Sequence, residues 1–176
     1  MKILHTSDWH LGAMDGERSL LGDQKFFIDE ICGIIVEYSV DAVIIAGDVY
    51  DRSVASSEAI KLYDYAMTRI CNDLKTPVIL IAGNHDSAER LSSCKELLSS
   101  AGLHVLGSLE KNISKISFDD TEIYLLPWIT AEKVKSIYPD KKDEIQSLED
   151  AYRVVTGDMC KHFDNSKKHI IVSMPI

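Results

Sequence analysis

The sequence predicts an α/β fold or a closely related layered fold, in which short buried strands alternate with helices. Two runs, at residues 42–46 and 78–82, contain only aliphatic residues and are typical of strands buried on both faces. Segments with apolar residues at helical spacing separate such runs, as in successive βαβ units. The chain has 176 residues, 45% of them hydrophobic and 27% charged, which indicates one domain with a buried core.

The elements up to residue 106 are predicted from periodicity and from punctuation by proline and glycine. The first helix is indicated by an apolar stripe at helical spacing, Phe27, Ile31, Ile34 and Ile35. Pro77 and Gly102 each mark the end of a helix and the start of a strand. In chain order we predict a strand at 2–6, the helix through 27–35, a strand at 42–46, a helix at 56–74, a strand at 78–82, a helix at 88–101 and a strand at 104–106.

The sequence after residue 106 predicts a hairpin, a helix and a last strand. Runs at residues 113–118 and 122–126 flank the pair Asp119 and Asp120, which suits a hairpin turn that extends the sheet. A strand is expected at residues 169–173. The stripe that indicates the helix before it is Ile145, Leu148, Tyr152, Val155 and Met159.

Polar clusters follow three of the predicted strands, at the point where each strand ends. Glycines at 47 and 83 let the chain turn sharply as it leaves the sheet. Because the carboxyl ends of parallel strands lie at one edge of a sheet, we expect the three loops to converge. The candidate site residues are Asp8 and His10 after the first strand, Asp48, Asp51 and Arg52 after the second, and Asn84, His85 and Asp86 after the third.

These side chains offer oxygen and imidazole ligands without thiolates, which suits Mn, Fe, Mg or Zn ions. A carboxylate at Asp48 can bridge two ions, with Asp8 and His10 on one side and the amide oxygen of Asn84 on the other. Taken singly, each cluster has a plainer interpretation as a turn, a helix cap or a surface pair. Their joint occurrence, in order and each after an apolar strand, favours a shared metal site.

The net charge of −9 argues against binding nucleic acid by general attraction, because phosphate contacts need exposed Lys and Arg. A phosphate-handling site would then need a local positive charge, which bound metal ions can supply. No apolar run approaches the roughly 18 residues that cross a bilayer, and no secretory signal opens the chain. We therefore expect a cytoplasmic protein with no membrane partner.

The spaced clusters resemble the motifs of the calcineurin-like metallophosphoesterase superfamily, whose fold is a layered β-sandwich flanked by helices. Within it, the opening residues 3–12 and the run at residues 48–53 look like the SbcD family of bacterial nuclease subunits, which work with an SMC-like ATPase. The motifs that carry the resemblance are Asp8-x-His10, Gly47-Asp48-x-x-Asp51-Arg52 and Gly83-Asn84-His85-Asp86.

The resemblance implies a role for each site residue. His85 would be catalytic, contacting the scissile phosphate and assisting the leaving oxygen, with the carboxylate of Asp51 orienting its ring. Arg52 would contact phosphate or serve as a structural ion-pair partner, and Asp86 would cap a helix or anchor its loop. Two divalent ions are implied, and we expect Mn²⁺. Their ligands would be Asp8 and His10 for the first, Asp48 as the bridge, and Asn84 for the second.

The function implied is metal-dependent hydrolysis of DNA phosphodiester bonds by an exonuclease and endonuclease subunit. Its partners would be DNA, an SbcC-type SMC-like ATPase subunit and a second copy of the chain, with the helices at 56–74 and 88–101 as the candidate dimer surface. Ordinary packing against the sheet is the alternative for those helices. Two further alternatives stay open: another metallophosphoesterase, either a phosphoprotein phosphatase or a small-molecule phosphodiesterase, or a non-catalytic fragment that dimerises or binds the ATPase.

The chain departs from the family pattern near its end. The family supplies further histidines for the second metal after the strand at 169–173 and in a later Gly-His-x-His motif, but position 174 is Met174. We therefore interpret residues 1–176 as the N-terminal portion of a nuclease domain that lacks the C-terminal part. The second metal site is expected to be incomplete and the activity impaired.

Overall fold

The computed structural model describes residues 1–174, which form two β-sheets packed face to face between layers of helices. The first sheet is entirely parallel, with its four strands in the order β1, β4, β5, β6. Its strands are β1 (Ile3–Thr6), β4 (Ala42–Ala46), β5 (Val78–Ile81) and β6 (Leu103–Leu106). A two-stranded ribbon, β2 (Met14–Asp15) and β3 (Arg18–Ser19), lies between β1 and the first helix in the chain.

The second sheet has the strand order β7, β8, β9, with β7 antiparallel and β9 parallel to the central β8. Its strands are β7 (Lys115–Ser117), β8 (Thr121–Leu126) and β9 (Lys168–Ser173). The turn between β7 and β8 contains Asp119 and Asp120, and it is closed by a hydrogen bond of 2.8 Å from the Phe118 N–H to the Thr121 carbonyl. The predicted hairpin is therefore confirmed, but it builds a separate sheet and does not extend the first.

Helices cover the outer face of each sheet. The first sheet carries α1 (Leu21–Tyr38), α2 (Ser57–Met67) with its π-helical continuation Thr68–Asp73, α3 (Ala88–Leu91) and α4 (Lys95–Ser100). The second carries α5 (Ala131–Ile137), the 3₁₀ helix Pro139–Glu144 and α6 (Leu148–Cys160). None of the helices in the described part is long and apolar enough to span a membrane.

Alternation along the strands assigns each side chain to one of three apolar layers. In β4, Val43 and Ile45 face the helices, whereas Ile44 faces the second sheet. In β8, Ile123 faces the first sheet and Tyr124 faces α6. Because successive side chains of a strand point to opposite faces, a strand buried on both faces is apolar at nearly every position. The layered sandwich flanked by helices is therefore confirmed.

Helix starts follow local capping chemistry. The Ser56 hydroxyl accepts a hydrogen bond of 3.2 Å from the Ala59 N–H at the start of α2. Ser147 and Asp150 form a reciprocal capping box at the start of α6. Each cap satisfies a backbone N–H that has no partner within the helix.

Two details of the sequence prediction are wrong. The helix predicted at residues 88–101 is two short helices, because the backbone at Cys94 takes a left-handed conformation with φ of 59° and interrupts the helical hydrogen bonds. In α1, Phe27 and Ile34 are exposed, and the side that faces the core is formed by Ile28, Ile31, Cys32 and Ile35. The predicted domain also includes residues 175 and 176, which lie outside the described residues.

Candidate metal centre

Three loops meet at the carboxyl edge of the first sheet, as predicted from the order of the polar clusters. The loop after β1 is tied to the loop after β4 by backbone hydrogen bonds: Asp8 N–H to the Gly47 carbonyl at 3.1 Å, and His10 N–H to the Asp48 carbonyl at 2.9 Å. A parallel bridge between Leu11 and Tyr50 continues this pairing beyond the strands. The loop after β5 joins them through the His85 N–H, which donates to Asp48 Oδ1 at 2.9 Å.

Three predicted ligands have left-handed backbone conformations. The φ angles are 56° at Asp8, 43° at His10 and 48° at Asp48. Such conformations are unfavourable for residues with a Cβ, and they persist where surrounding contacts fix them, often at functional sites. The loops therefore hold these side chains at the sheet edge at a cost in backbone strain.

The carboxylates of Asp8 and Asp48 both approach the ring of His10. His10 Nε2 lies 3.8 Å from Asp8 Oδ1 and 3.8 Å from Asp48 Oδ2. Ligand atoms of His10, Asp48 and His85 also lie within 4.8 Å of one another. Imidazole nitrogens and carboxylate oxygens at these separations fit a divalent ion placed between them.

The charge of Asp48 has no fixed cation beside it. The residue is only 2% exposed, and among residues 1–174 no lysine or arginine forms an ion pair with its carboxylate. A buried carboxylate without a compensating cation is costly, and a bound metal ion is one group that removes the cost. The donor set and this uncompensated charge together fit a metal ion, with Asp8, His10 and Asp48 as the residues that would hold it.

His85 lies at the rim of the site with its ring exposed. Its Nδ1 is 2.8 Å from the backbone carbonyl oxygen of Asp51, and this hydrogen bond raises the pKa of His85. The ring stands at 89° to that of His10, with 4.9 Å between centroids. The protonated form, which the carbonyl favours, is the one that can donate a proton to a departing oxygen.

The carboxylate of Asp51 was expected to orient His85, but it lies elsewhere. Asp51 Oδ1 is 3.9 Å from His10 Nδ1, a buried nitrogen with no hydrogen-bond partner among residues 1–174, and Asp51 Oδ2 is 3.3 Å from Nε of Arg52. The backbone of Asp51 therefore contacts His85, whereas its side chain faces His10. Because His10 Nε2 points at the ion position, a carboxylate near its other nitrogen is placed to orient the ring.

Two other predicted site residues, Asn84 and Arg52, are exposed at the rim. Asn84 follows Gly83 in the loop after β5, directly before His85. Arg52 has 78% of its side chain exposed and contacts Asp51. An ion pair is therefore present at Arg52, and its guanidinium also remains accessible to an anion.

Asp86 anchors its loop and does not cap a helix. Asp86 Oδ2 accepts hydrogen bonds from the N–H groups of Gly83 at 2.9 Å and Val49 at 3.2 Å, and Oδ1 accepts from Tyr50 at 3.0 Å. The helix α3 begins two residues later and has Ser87 as its first flanking residue. One carboxylate thus joins the loops that carry Asp48 and His85.

Close packing beneath the site requires two glycines. A Cβ at Gly47 would overlap the sulfur of Met174, and a Cβ at Gly83 would overlap both that sulfur and the backbone and carboxylate of Asp48. Met174 is buried between the sheets, so its thioether is a wall of the site. Thioethers prefer softer metals than Mn²⁺ or Mg²⁺, and this position therefore supplies packing and no ligand for such ions.

One residue that contacts the site loop was not anticipated from the sequence. Gln24, in the first turn of α1, forms hydrogen bonds with the loop that carries Asp8 and His10. A single glutamine in a helix matches no ligand or catalytic motif, and it lies 14 positions from its loop partner His10. No signal in the sequence could have identified it.

The sequence over residues 1–169 matches the family model for calcineurin-like phosphoesterases. The chain belongs to the calcineurin-like phosphoesterase family. Members of this family bind divalent metal ions, which agrees with the partial site formed by His10, Asp48 and His85.

Two similar relatives are both described as the SbcD component of the SbcCD nuclease. The protein of Staphylococcus epidermidis is 33% identical over 172 residues, covering 98% of this chain and 46% of the relative. The protein of Staphylococcus saprophyticus is 30% identical over 172 residues, covering 98% of this chain and 45% of the relative. The chain thus spans about half the length of these relatives. Among solved structures, Yfce, a phosphoesterase from E. coli, overlaps with a TM-score of 0.36 at 16% identity, over 70% of this chain and 56% of that one.

Proposed function

We propose that this chain forms the metal-binding part of a phosphodiesterase that uses two divalent ions, Mn²⁺ above all, to hydrolyse DNA. The observation that carries the proposal is the buried carboxylate of Asp48, which lies between His10 and His85 and has no lysine or arginine partner in the described chain. Similarity to two proteins described as components of the SbcCD nuclease supports the choice of DNA as the substrate.

Each residue of the site has a distinct role in the proposed reaction. Asp8 and His10 would hold the first ion, Asp48 would serve both positions, and Asn84 would contribute to an incomplete second position. When bound, the ions supply positive charge for the phosphate and activate water. His85, protonated and oriented by the Asp51 carbonyl, donates its proton to the leaving sugar oxygen, a contribution of about 10²- to 10⁴-fold. Arg52 contacts a neighbouring phosphate.

The acidic balance of the chain is consistent with this proposal. With a net charge of −9, the protein does not attract DNA over its whole surface. Attraction would be local, at the metal ions and at the exposed Arg52. Binding of DNA should therefore depend on the metal far more than binding by a basic protein does.

The proposed assembly includes an SbcC-type ATPase subunit and a second copy of the chain. The names of the relatives, which describe one component of a complex, support the ATPase partner. For the second copy, the support is the surface of α2 and α4, where Ile60 and Leu97 are exposed at 51% and 73%. A neighbouring cavity of about 390 Å³ is lined by Val54, Ile60 and Leu91 among others. Ile60→Glu combined with Leu97→Glu should reduce the mass measured by light scattering from dimer to monomer.

The experiment that tests the function offers two substrates with and without Mn²⁺. Linear duplex DNA and bis-p-nitrophenyl phosphate would be incubated with the wild-type chain, with His85→Ala and with His162→Ala, a matched control whose histidine is exposed beyond α6. We expect hydrolysis of both substrates only with the metal, and slowly, because the second metal position is incomplete. The rate should be a further ~10²-fold lower or more in His85→Ala and unchanged in His162→Ala. Cleavage of the small ester alone would overturn the assignment to DNA and favour a small-molecule phosphodiesterase.

A phosphoprotein phosphatase would be revealed by hydrolysis of a phosphoserine peptide in the same assay. Binding of Mn²⁺ without hydrolysis of any substrate would instead support a non-catalytic fragment. Neither outcome is compatible with the proposed nuclease, so each would replace it.

A further inference from the structure

The loop between β1 and the ribbon has a strained backbone at two residues, Asp8 and His10. Besides Asp8 and His10, Gly12 has a positive φ, at 91°. Glycine adopts such an angle readily, but the left-handed conformations of Asp8 and His10 do not persist without contacts that fix them. On one side the loop is fixed by its hydrogen bonds to the backbone of Asp48 and Val49.

On the other side, one polar side chain of α1 forms hydrogen bonds with the loop backbone. Gln24 Nε2 donates to the His10 carbonyl at 2.7 Å and lies 3.3 Å from the Trp9 carbonyl, while Gln24 Oε1 accepts from the Gly12 N–H at 3.0 Å. One amide group thus contacts the backbone of three residues among four consecutive positions. These groups lie directly beside the left-handed turns.

The chemistry of a carboxamide is required for this arrangement. It offers two N–H donors and a carbonyl acceptor from one planar group. A glutamate would keep the acceptor but bring a negative charge against two carbonyl oxygens. A methionine would keep the volume and lose both kinds of hydrogen bond.

We propose that Gln24 is a positioning residue for the first metal position. Its hydrogen bonds hold the loop so that Asp8 and His10 have their ligating geometry before an ion binds. The inference rests on the proposed metal-binding function. Gln24 itself contacts no ion and no substrate. Its contribution is to pre-organise the loop, so that ion binding does not have to impose the strained conformations.

The test measures metal affinity and loop protection in separate experiments. Mn²⁺ dissociation constants would be determined by electron paramagnetic resonance for the wild type, Gln24→Met, Gln24→Glu and the control Gln146→Ala. Gln146 precedes α6, and its side-chain amide donates to the nearby Asp143 carbonyl at 2.8 Å, far from the metal site in the chain. We expect binding about 10- to 100-fold weaker in Gln24→Met, weaker still in Gln24→Glu, and unchanged in the control.

Hydrogen exchange of the metal-free protein provides the readout that separates positioning from general stability. In Gln24→Met, exchange should accelerate at residues 8–13 while the strands β4 and β5 remain as protected as in the wild type. Unchanged Mn²⁺ affinity in Gln24→Met would overturn the inference, and so would acceleration spread evenly over the sheet. If the wild type binds no Mn²⁺, the proposed function fails, and exchange at residues 8–13 alone then decides whether Gln24 fixes the loop.

Discussion

The two sheets each bury a carboxylate, but they compensate its charge in different ways. Asp48, at the carboxyl edge of the first sheet, is 2% exposed, and Glu122, near the start of β8 in the second, is 4% exposed. Lys115 Nζ donates to Glu122 Oε1 at 2.7 Å, and the Tyr124 hydroxyl donates to Glu122 Oε2 at 2.8 Å. Asp48 has backbone and histidine neighbours and no such cation in the described chain.

The difference separates a structural carboxylate from a ligand. Glu122 carries its counter-charge within the fold, so the second sheet is electrostatically complete without any added group. The counter-charge for Asp48 has to come from a group that is not part of the described chain, such as a bound metal ion. Loss of a charge should therefore change stability in opposite directions at the two sites, and added metal should stabilise only the first.

The largest effect is expected from Gly83→Ala, which would drive a methyl group into Asp48 and Met174 beneath the site. Overpacking against backbone atoms costs about 3 kcal/mol or more, so the melting temperature should fall by roughly 10 °C and Mn²⁺ binding should be lost. Gly157→Ala is the control, since Gly157 lies in α6 with open space around it. That variant should be more stable by about 0.5–1 kcal/mol. A stable Gly83→Ala protein with normal Mn²⁺ affinity would contradict the packing described for the site.

The second prediction concerns Asp48→Asn, which keeps an oxygen to accept the hydrogen bond from the His85 N–H. Without metal, the variant should melt at the same or a higher temperature than the wild type, because a buried charge is removed. With Mn²⁺ at about 100 times its dissociation constant, the wild type should gain about 5–10 °C and the variant almost nothing. Calorimetry with and without EDTA measures both, with the exposed Asp140→Asn as control. A strongly destabilised metal-free Asp48→Asn would show that the carboxylate is structural.

A smaller effect of opposite sign is expected in the second sheet. Lys115→Met removes the cation beside Glu122 and should lower the melting temperature by about 5 °C, with or without Mn²⁺. Lys161→Met, which breaks an exposed pair with Asp158, should change it by about 1 °C or less. Equal shifts in the two variants would mean that burial of Glu122 does not matter.

The smallest effect is a change in the pH dependence of stability. The hydrogen bond from Lys115 lowers the pKa of Glu122 below its ordinary value of 4.5. The folded protein therefore binds this proton less tightly than the unfolded chain does, so the stabilisation is present above about pH 4.5 and is lost as the pH falls through the lowered value. Between pH 7 and pH 3, the melting temperature of Glu122→Gln should fall less steeply with falling pH than that of the wild type. Parallel curves would exclude Glu122 as a contributor to acid unfolding.

Much of the fold could be predicted because local sequence and tertiary structure agree. The run at residues 42–46 coincides with β4, since a strand covered on both faces must be apolar at every position. In α1, the apolar stripe wrongly predicted that Phe27 and Ile34 face the core. Periodicity defines a helix face only to within a neighbouring position, and the packing against the sheet decides which residues are buried. Nothing local indicates the break at Cys94, after which α4 packs on β6.

For the candidate site, the sequence by itself determined which polar side chains follow which strands, because three polar loops after three apolar parallel strands can meet only at one sheet edge. At that edge, the carboxylates of Asp8 and Asp48 each lie 3.8 Å from His10 Nε2. The tertiary structure alone decided the support around them: that the Asp51 carbonyl, and not its carboxylate, contacts His85, that Asp86 joins two loops, and that Gln24 holds the third. These contacts depend on distances of about 3 Å between residues far apart in the chain, and such distances are set by the packing of whole elements, which no local pattern encodes.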